Sequence, residues 1–223
     1  MMRRVKVLIA LIMTIVMSLS LFTGCKAKPT PEDAQNYVRA ILDIICTGDH
    51  DHTVELVDIE EGKEGEFREE ILDEIMTAVT KEQELSDELK EEYRDFFKAA
   101  FEKCKYTVGD ATELEEGGYD VNVSIEPLKI FDTLDNGEFE KELEKIVMAD
   151  PDKFLAMSES EQTEYGFKFL VDKLNEDLEN PKYGDPVDVT VRYELLDEEE
   201  NVYGCTEEEG EKLGEHLFDF GSL

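Results

Sequence analysis

The stretch YDVNVSIE at residues 119–126 decides the fold class because its apolar and polar residues alternate strictly. Successive side chains of a β-strand point to opposite faces of a sheet, so this period of two places four apolar side chains on one face. The segment therefore predicts a strand with one buried and one solvated face, as in an antiparallel sheet that is covered on one side.

Two neighbouring segments share this period. Residues 105–108 read KYTV and are separated from the central strand by the turn EEGG at 115–118, which predicts a hairpin. Residues 187–195 read VDVTVRYEL and predict a third strand, and an acidic turn at 197–201 leads to a short return strand at Val202 and Tyr203. The strands together predict a small antiparallel sheet.

Helical spacing of apolar residues dominates the rest of the chain. Thr30 followed by Pro31 predicts the start of a helix that ends at Thr47 and Gly48. Capping-box patterns at Ser158 with Glu161 and at Thr206 with Glu209 predict two more helix starts. Further helices are expected within 67–79, 86–104 and 134–147, where the aromatic residues of 86–104 are interpreted as core and a ligand-stacking role is the alternative.

Three amphipathic strands cannot bury their apolar face alone, so the helices must cover it. The sequence predicts an α+β fold with amphipathic helices packed on one face of a small antiparallel sheet. We expect residues 31–223 to form a single domain, with a possible subdivision near residue 130.

The composition excludes one large class of function. The 223 residues include 57 Asp and Glu against 23 Lys and Arg, which gives a formal net charge of -34. Binding to nucleic acid needs a basic surface that displaces counterions, so a nucleic-acid partner is not expected. The 41% of hydrophobic residues are enough to form a core.

The first 24 residues have the pattern of an export signal. A basic start at Arg3, Arg4 and Lys6 precedes an apolar run at residues 7–22 and small residues at 23–24. The apolar run is somewhat shorter than the roughly 20 residues that a spanning helix needs. An uncleaved membrane anchor is the alternative interpretation.

The end of this segment resembles the lipobox of bacterial lipoproteins. Residues 21–25 read LFTGC, with Phe22 at the position where Leu is commonest in that family. The resemblance implies that residues 1–24 are removed, that Cys25 is acylated with palmitate-type chains, and that residues 25–30 form a short tether. It also implies that the protein lies on the extracytoplasmic face of the cell membrane, with the membrane as its partner through the lipid on Cys25.

Two looser resemblances concern the body of the chain. Residues 37–42 with Thr47-Gly48-Asp49 resemble the first helix of nuclear-transport-factor-2-like, or cystatin-like, domains. The KYTV and GYDVNV segments at 105–108 and 118–123 resemble strands of small uncharacterised lipoproteins of Gram-positive anaerobes. The second resemblance implies no activity.

Established catalytic and cofactor-binding motifs are not found in the sequence, and no cofactor is predicted. Asp49, His50, Asp51 and His52 are weak candidates for a metal site because carboxylates and imidazoles suit divalent metals. The side chains of four consecutive residues do not turn easily toward one ion. In the alternative interpretation, these polar residues follow the end of a helix and are solvated.

Three further cysteines remain in the body of the chain: Cys46, Cys104 and Cys205. The first interpretation treats them as small buried hydrophobic residues. The alternative is a bridge between Cys46 and Cys104, because each ends an apolar helical stripe and an exported chain meets oxidising conditions.

The sequence thus predicts a non-catalytic lipoprotein of the cell envelope that acts as a binding or interaction module. An enzyme built around a pocket in the same α+β body is the alternative. A solute receptor for a transporter is less expected, because the repeated βαβ units of two-lobed receptors are not visible.

Overall fold

We describe the protein from a computed structural model, in which residues 28–48, 64–80, 85–130, 137–199 and 201–219 are described. Within these ranges a four-stranded antiparallel sheet has the order β1-β2-β3-β4. Strand β1 comprises Lys105–Glu113 and β2 Tyr119–Glu126, whereas β3 comprises Val187–Asp197 and β4 Val202–Gly204. The sheet is therefore a meander into which a long helical segment is inserted between β2 and β3.

The alternation of the central strand is realised as predicted. Tyr119, Val121, Val123 and Ile125 are all buried, and the intervening polar residues of β2 are exposed or half-buried. Val121 lies opposite Val191 of β3, so the buried faces of the two strands are continuous. One face of the sheet thus carries the core and the other faces solvent.

Seven helices are found in the described part of the chain. They are α1 Pro31–Cys46, α2 Glu64–Thr80, α3 Asp87–Phe101, α4 Glu138–Ala149, α5 Pro151–Leu155, α6 Glu159–Glu179 and α7 Glu207–Leu217. Helix α1 packs on β1 and β2, and α7 packs on β2 and β3. Helix α3 contacts α1, α2 and α6, and α4 contacts α5 and α6. The predicted α+β class, with helices on one face of a small antiparallel sheet, is confirmed.

The aromatic stripe of α3 belongs to the core, which confirms the interpretation of these residues as core. Tyr93, Phe96, Phe97 and Phe101 are all buried, and the Tyr93 hydroxyl donates to the carbonyl of Phe167 in α6 at 2.8 Å. Buried residues from both sides of residue 130 belong to one hydrophobic core. The predicted domain limits, 31–223 with a possible subdivision near 130, stay a prediction.

Helix α1, which positions the candidate site, begins as the sequence predicts. The Thr30 hydroxyl accepts the backbone N–H of Asp33 at 3.2 Å, and the Asp33 carboxylate accepts the backbone N–H of Thr30 at 2.7 Å. Pro31 occupies the first turn, where its missing N–H costs nothing. The helix ends at Cys46, and Thr47 and Gly48 close it through N–H bonds to the carbonyl of Asp43.

The start of α7 differs from the sequence prediction. Ser158 and Glu161 do form the predicted capping box of α6. Thr206 precedes α7, but its side chain makes no capping hydrogen bond in the described structure. The carboxylate of Glu209 turns instead to β3, where it accepts the backbone N–H of Arg192 at 2.9 Å. Glu209 therefore accepts a backbone N–H at the edge of β3, at a position that the short strand β4 does not reach.

No helix within the described ranges is both long and apolar enough to cross a membrane.

Candidate functional site

The predicted anchor and the predicted metal cluster lie outside the described residues. This holds for the signal peptide, for Cys25, and for Asp49, His50, Asp51 and His52. Among the residues that the structure does describe, no group of three His, Cys, Asp or Glu side chains could hold a metal ion. Lipid attachment at Cys25 and the weak metal candidates stay predictions.

The last residues of the predicted tether lie against the β1–β2 hairpin. The Lys28 ammonium meets the carboxylate of Glu113 at 2.6 Å, and both side chains are exposed. Pro29 is buried, and its carbonyl accepts the hydroxyl of Tyr119 at 2.6 Å. Glu113 ends β1 and Tyr119 begins β2, so the tether meets the sheet at the turn of this hairpin.

A cleft of about 700 Å³ lies at the opposite end of the same hairpin. Helix α1 contributes Arg39, Asp43 and Thr47 to its lining, and the start of β1 contributes Lys105 and Tyr106. The rest of the lining consists of Cys104, Thr107, Val108, Ser124, Glu126 and Pro186. From Tyr106 to Glu113 the strand rises by roughly 20 Å, at about 3.3 Å per residue with a bulge between. The cleft is therefore well separated from the tether.

Asp43 and Tyr106 join the two walls of the cleft. The phenol donates to the Asp43 carboxylate at 2.5 Å, a charge-assisted hydrogen bond between α1 and β1. Burial first, and then this hydrogen bond, raise the pKa of Tyr106 well above its ordinary value. The phenol consequently stays protonated at physiological pH and acts as a hydrogen-bond donor, not as a base.

The cleft carries balanced charge in a strongly acidic molecule. Arg39 and Lys105 supply two positive charges, and Asp43 and Glu126 supply two negative charges. The Lys105 ammonium lies 3.7 Å from the ring centroid of Tyr183 and 3.8 Å from the Glu126 carboxylate. Because the formal net charge of the chain is -34, this balance distinguishes the cleft from the surface as a whole.

The three described cysteines are free thiols, so the alternative bridge between Cys46 and Cys104 is not formed in this structure. Cys46 and Cys205 are buried, which agrees with the first interpretation of the sequence, and Cys104 is half-buried in the lining of the cleft. The interaction with Cys104, followed by burial, raises the pKa of Cys46 well above its ordinary value. Burial likewise raises the pKa of Cys205.

A second, smaller hollow of about 430 Å³ lies between the starts of α3 and α6. Its lining includes Glu88, Glu92, Glu161 and Glu164. Lys168 meets the Glu92 carboxylate at 2.8 Å, and its hydrogen bonds to Asp172 and Glu92 raise the pKa of its ammonium. The carboxylates share the lining of this hollow with Leu89, Met157 and Tyr165.

Sequence reasoning did not single out Asp43, Arg39 or Tyr106. A signal was present, because Asp43 interrupts a run of buried apolar residues in α1 that the helical period places on the sheet. The partner could not be chosen from sequence, since the pairing depends on how α1 lies across β1.

A solved structure resembles this fold. The fold is similar to that of ycdA from Bacillus subtilis, a candidate lipoprotein with a crystal structure at 2.62 Å resolution. The TM-score is 0.59 at 12% sequence identity, and the match covers 84% of this chain and 56% of the ycdA chain. This chain thus spans little more than half the length of that protein, and the likeness is one of fold.

Models of protein families give no match to the chain, and neither do the curated proteins. The resemblance to nuclear-transport-factor-2-like domains stays a prediction.

Proposed function

We propose that this protein is a cell-envelope lipoprotein, anchored through Cys25 at the extracytoplasmic face of the membrane, that acts as a binding module. Two findings support the lipid anchor. Residues 21–25 read LFTGC after a basic and apolar leader, and the structurally similar ycdA is itself a candidate lipoprotein.

The observation that carries the proposal is the attachment of the tether to the hairpin. Lys28 follows Cys25 by three positions, a reach of about 10 Å at full extension. Since Lys28 and Pro29 contact Glu113 and Tyr119, a lipid on Cys25 would hold the hairpin turn close to the membrane. The cleft at the other end of β1 would then face away from the bilayer.

The charge of the body is consistent with anchoring by lipid alone. An acidic domain is repelled by anionic headgroups, so adsorption of the surface does not provide attachment. One acyl chain gives only marginal binding, whereas two chains anchor a protein stably. Diacylation of Cys25 would supply that second chain.

Substitution of Cys25 tests the anchor. We expect the parent chain to incorporate labelled palmitate and to fractionate with membranes. The Cys25→Ala variant should incorporate no label. Lys26→Ala, in the adjacent residue, is the matched control and should keep both properties. Undiminished labelling and unchanged fractionation of Cys25→Ala would show that Cys25 is not the anchor.

The ligand class that fits the cleft is a small polar molecule carrying both charges. Arg39 and Lys105 can meet a carboxylate, and Asp43 and Glu126 can meet an ammonium group. A volume of about 700 Å³ lies within the usual range for small-molecule sites. A zwitterion would find complementary partners here, whereas the surrounding acidic surface disfavours anions.

The binding role is tested by thermal unfolding of the full chain in detergent with each free amino acid as the probe. We expect at least one amino acid to raise the unfolding midpoint, and Arg39→Ala to reduce that shift. Lys90→Ala, a change in α3 outside the cleft lining, should leave the shift intact. A zwitterion is not the ligand of this cleft if no amino acid raises the unfolding midpoint. The same conclusion follows if Arg39→Ala shows the full shift of the parent chain.

A further inference from the structure

The contact between α1 and β1 brings two cysteines to one junction. The hydrogen bond from Tyr106 to Asp43 fixes the helix against the strand. Cys46 follows Asp43 by three residues and so lies on the same face of α1. Cys104 precedes Tyr106 by two residues at the entry to β1. The alignment that pairs Asp43 with Tyr106 therefore places Cys46 beside Cys104.

The surroundings of the two thiols agree with this placement. The Cys46 thiol interacts with the Cys104 thiol, and Tyr106 interacts electrostatically with both. Cys46 is 1% exposed, whereas Cys104 lines the cleft and is reached from solvent. The Cys104 thiol lies 3.7 Å from the carbonyl of Ala100, a weak hydrogen bond that leaves the sulfur available. One thiol is thus accessible from the cleft, and the other is buried.

We propose that Cys46 and Cys104 are a redox-active dithiol that closes to an intramolecular disulfide. The oxidant is a disulfide, either of low molecular weight or of a thiol oxidoreductase. The Cys104 thiolate attacks one sulfur of that disulfide, forms a mixed disulfide, and releases the first thiol. The Cys46 thiol then attacks Cys104 Sγ, passes its proton to the departing sulfur and releases the second thiol. Two electrons and two protons pass from the cysteines to the oxidant.

The disulfide would join the end of α1 to the start of β1. It would lock the wall between core and cleft and keep Asp43 against Tyr106. It would also close a long loop of chain, which restricts the unfolded state most effectively. The reduced chain would keep the same contacts but lose this covalent constraint.

Cys205 provides an internal control. It is 1% exposed and lies beside Tyr37. A disulfide-exchange reagent that enters through the cleft should reach Cys104 and leave Cys205 reduced.

The test treats the full chain carrying Cys25→Ala, in detergent, with oxidised glutathione under native conditions. Of its three remaining cysteines, we expect one free thiol after denaturation and a peptide in which Cys46 is linked to Cys104. The unfolding midpoint should rise by roughly 5–10 °C and return after reduction. When the same chain also carries Cys205→Ala, the number of free thiols after denaturation should fall from two before oxidation to zero after it.

The remaining outcomes contradict the proposal. Three free thiols after treatment would show that the pair does not react. A glutathione adduct at Cys104 that persists without a link to Cys46 would show that the buried thiol cannot resolve it. A link that includes Cys205 would place the reactive pair elsewhere.

Discussion

Tyr106 and Asp43 contribute both to the packing of α1 on β1 and to the lining of the cleft. Each is half-buried, and their 2.5 Å hydrogen bond joins α1 to β1. A hydrogen bond to a charged group contributes about 1.5–3 kcal/mol to stability, more than a bond between neutral groups. The pair therefore does two tasks, because it shapes the cleft wall and also sets how the helix lies on the sheet.

A double-mutant cycle measures this interaction. We expect Tyr106→Phe to lower the free energy of unfolding by about 2 kcal/mol. Combined with Asp43→Asn, it should show a coupling of at least about 1 kcal/mol in urea denaturation. Independent effects of the two substitutions would mean that the hydrogen bond contributes little.

The pH dependence of the same pair has a definite sign. The pKa of Tyr106 is raised from 10.0 in the folded chain. Its contribution to stability is therefore complete below pH 10 and is lost as the pH rises further. We expect the difference between the parent chain and Tyr106→Phe to shrink above pH 10, by up to about 1.4 kcal/mol per pH unit. A constant difference between pH 8 and pH 11 would contradict this account.

Glu209 is the second residue with a measurable role. Its carboxylate accepts the Arg192 N–H and is also bonded by the Lys212 ammonium. Glu209→Ala leaves a strand N–H without its acceptor, and we expect a loss of about 2 kcal/mol in urea denaturation. Glu209→Gln keeps an acceptor and should lose less. Thr206→Ala should change stability by less than about 0.5 kcal/mol, because the side chain makes no cap bond in the described structure. Equal losses for Glu209→Ala and Thr206→Ala would restore the predicted capping box.

At the scale of elements, the β1–β2 hairpin depends on the glycines of its turn. Its turn uses two glycines with positive φ, Gly117 at +98° and Gly118 at +81°. A Cβ on Gly118 would lie 2.6 Å from the carbonyl oxygen of Tyr193, whereas a Cβ on Gly117 would meet nothing within 4 Å. The first glycine thus serves the turn, and the second also permits close approach to β3.

The two glycines separate conformational strain from steric contact. We expect Gly117→Ala to cost about 1 kcal/mol, the penalty for a left-handed alanine. Gly118→Ala adds a clash with backbone and should cost about 3 kcal/mol or more. Chemical denaturation of both variants compares them. Equal costs would show that β3 moves away freely at Tyr193.

Elements whose signals are local could be predicted from sequence. The strict alternation at 119–126 and the caps at Thr30 and Ser158 each depend on neighbours within four residues, and each is confirmed. The predicted capping box at Thr206 and Glu209 is wrong, because the Glu209 carboxylate accepts the backbone N–H of Arg192 at the edge of β3. This long-range hydrogen bond cannot be read from neighbouring residues. The cleft could not be predicted for the same reason, since it depends on contacts between α1 and β1.

At the scale of the whole molecule, the β1–β2 hairpin has the tether of the predicted anchor at one end and the cleft at the other. The tether meets the turn end at Glu113 and Tyr119, and the cleft lies at the end that begins with Lys105. A lipid on Cys25 would therefore orient the domain as well as retain it. The acidic surface would keep the remaining faces away from an anionic bilayer.

The most direct test of this arrangement compares the membrane proximity of the two hairpin ends. In a chain that carries Cys104→Ser, so that this accessible thiol is not labelled, a fluorophore is attached at Glu115→Cys, in the turn, or at Glu102→Cys, beside the cleft end. Both proteins are lipidated and reconstituted in vesicles that contain a headgroup quencher. We predict stronger quenching at position 115 than at position 102, and loss of the difference in Cys25→Ala. Equal quenching at both positions, or a difference that survives Cys25→Ala, would contradict an anchor that holds the hairpin turn against the membrane.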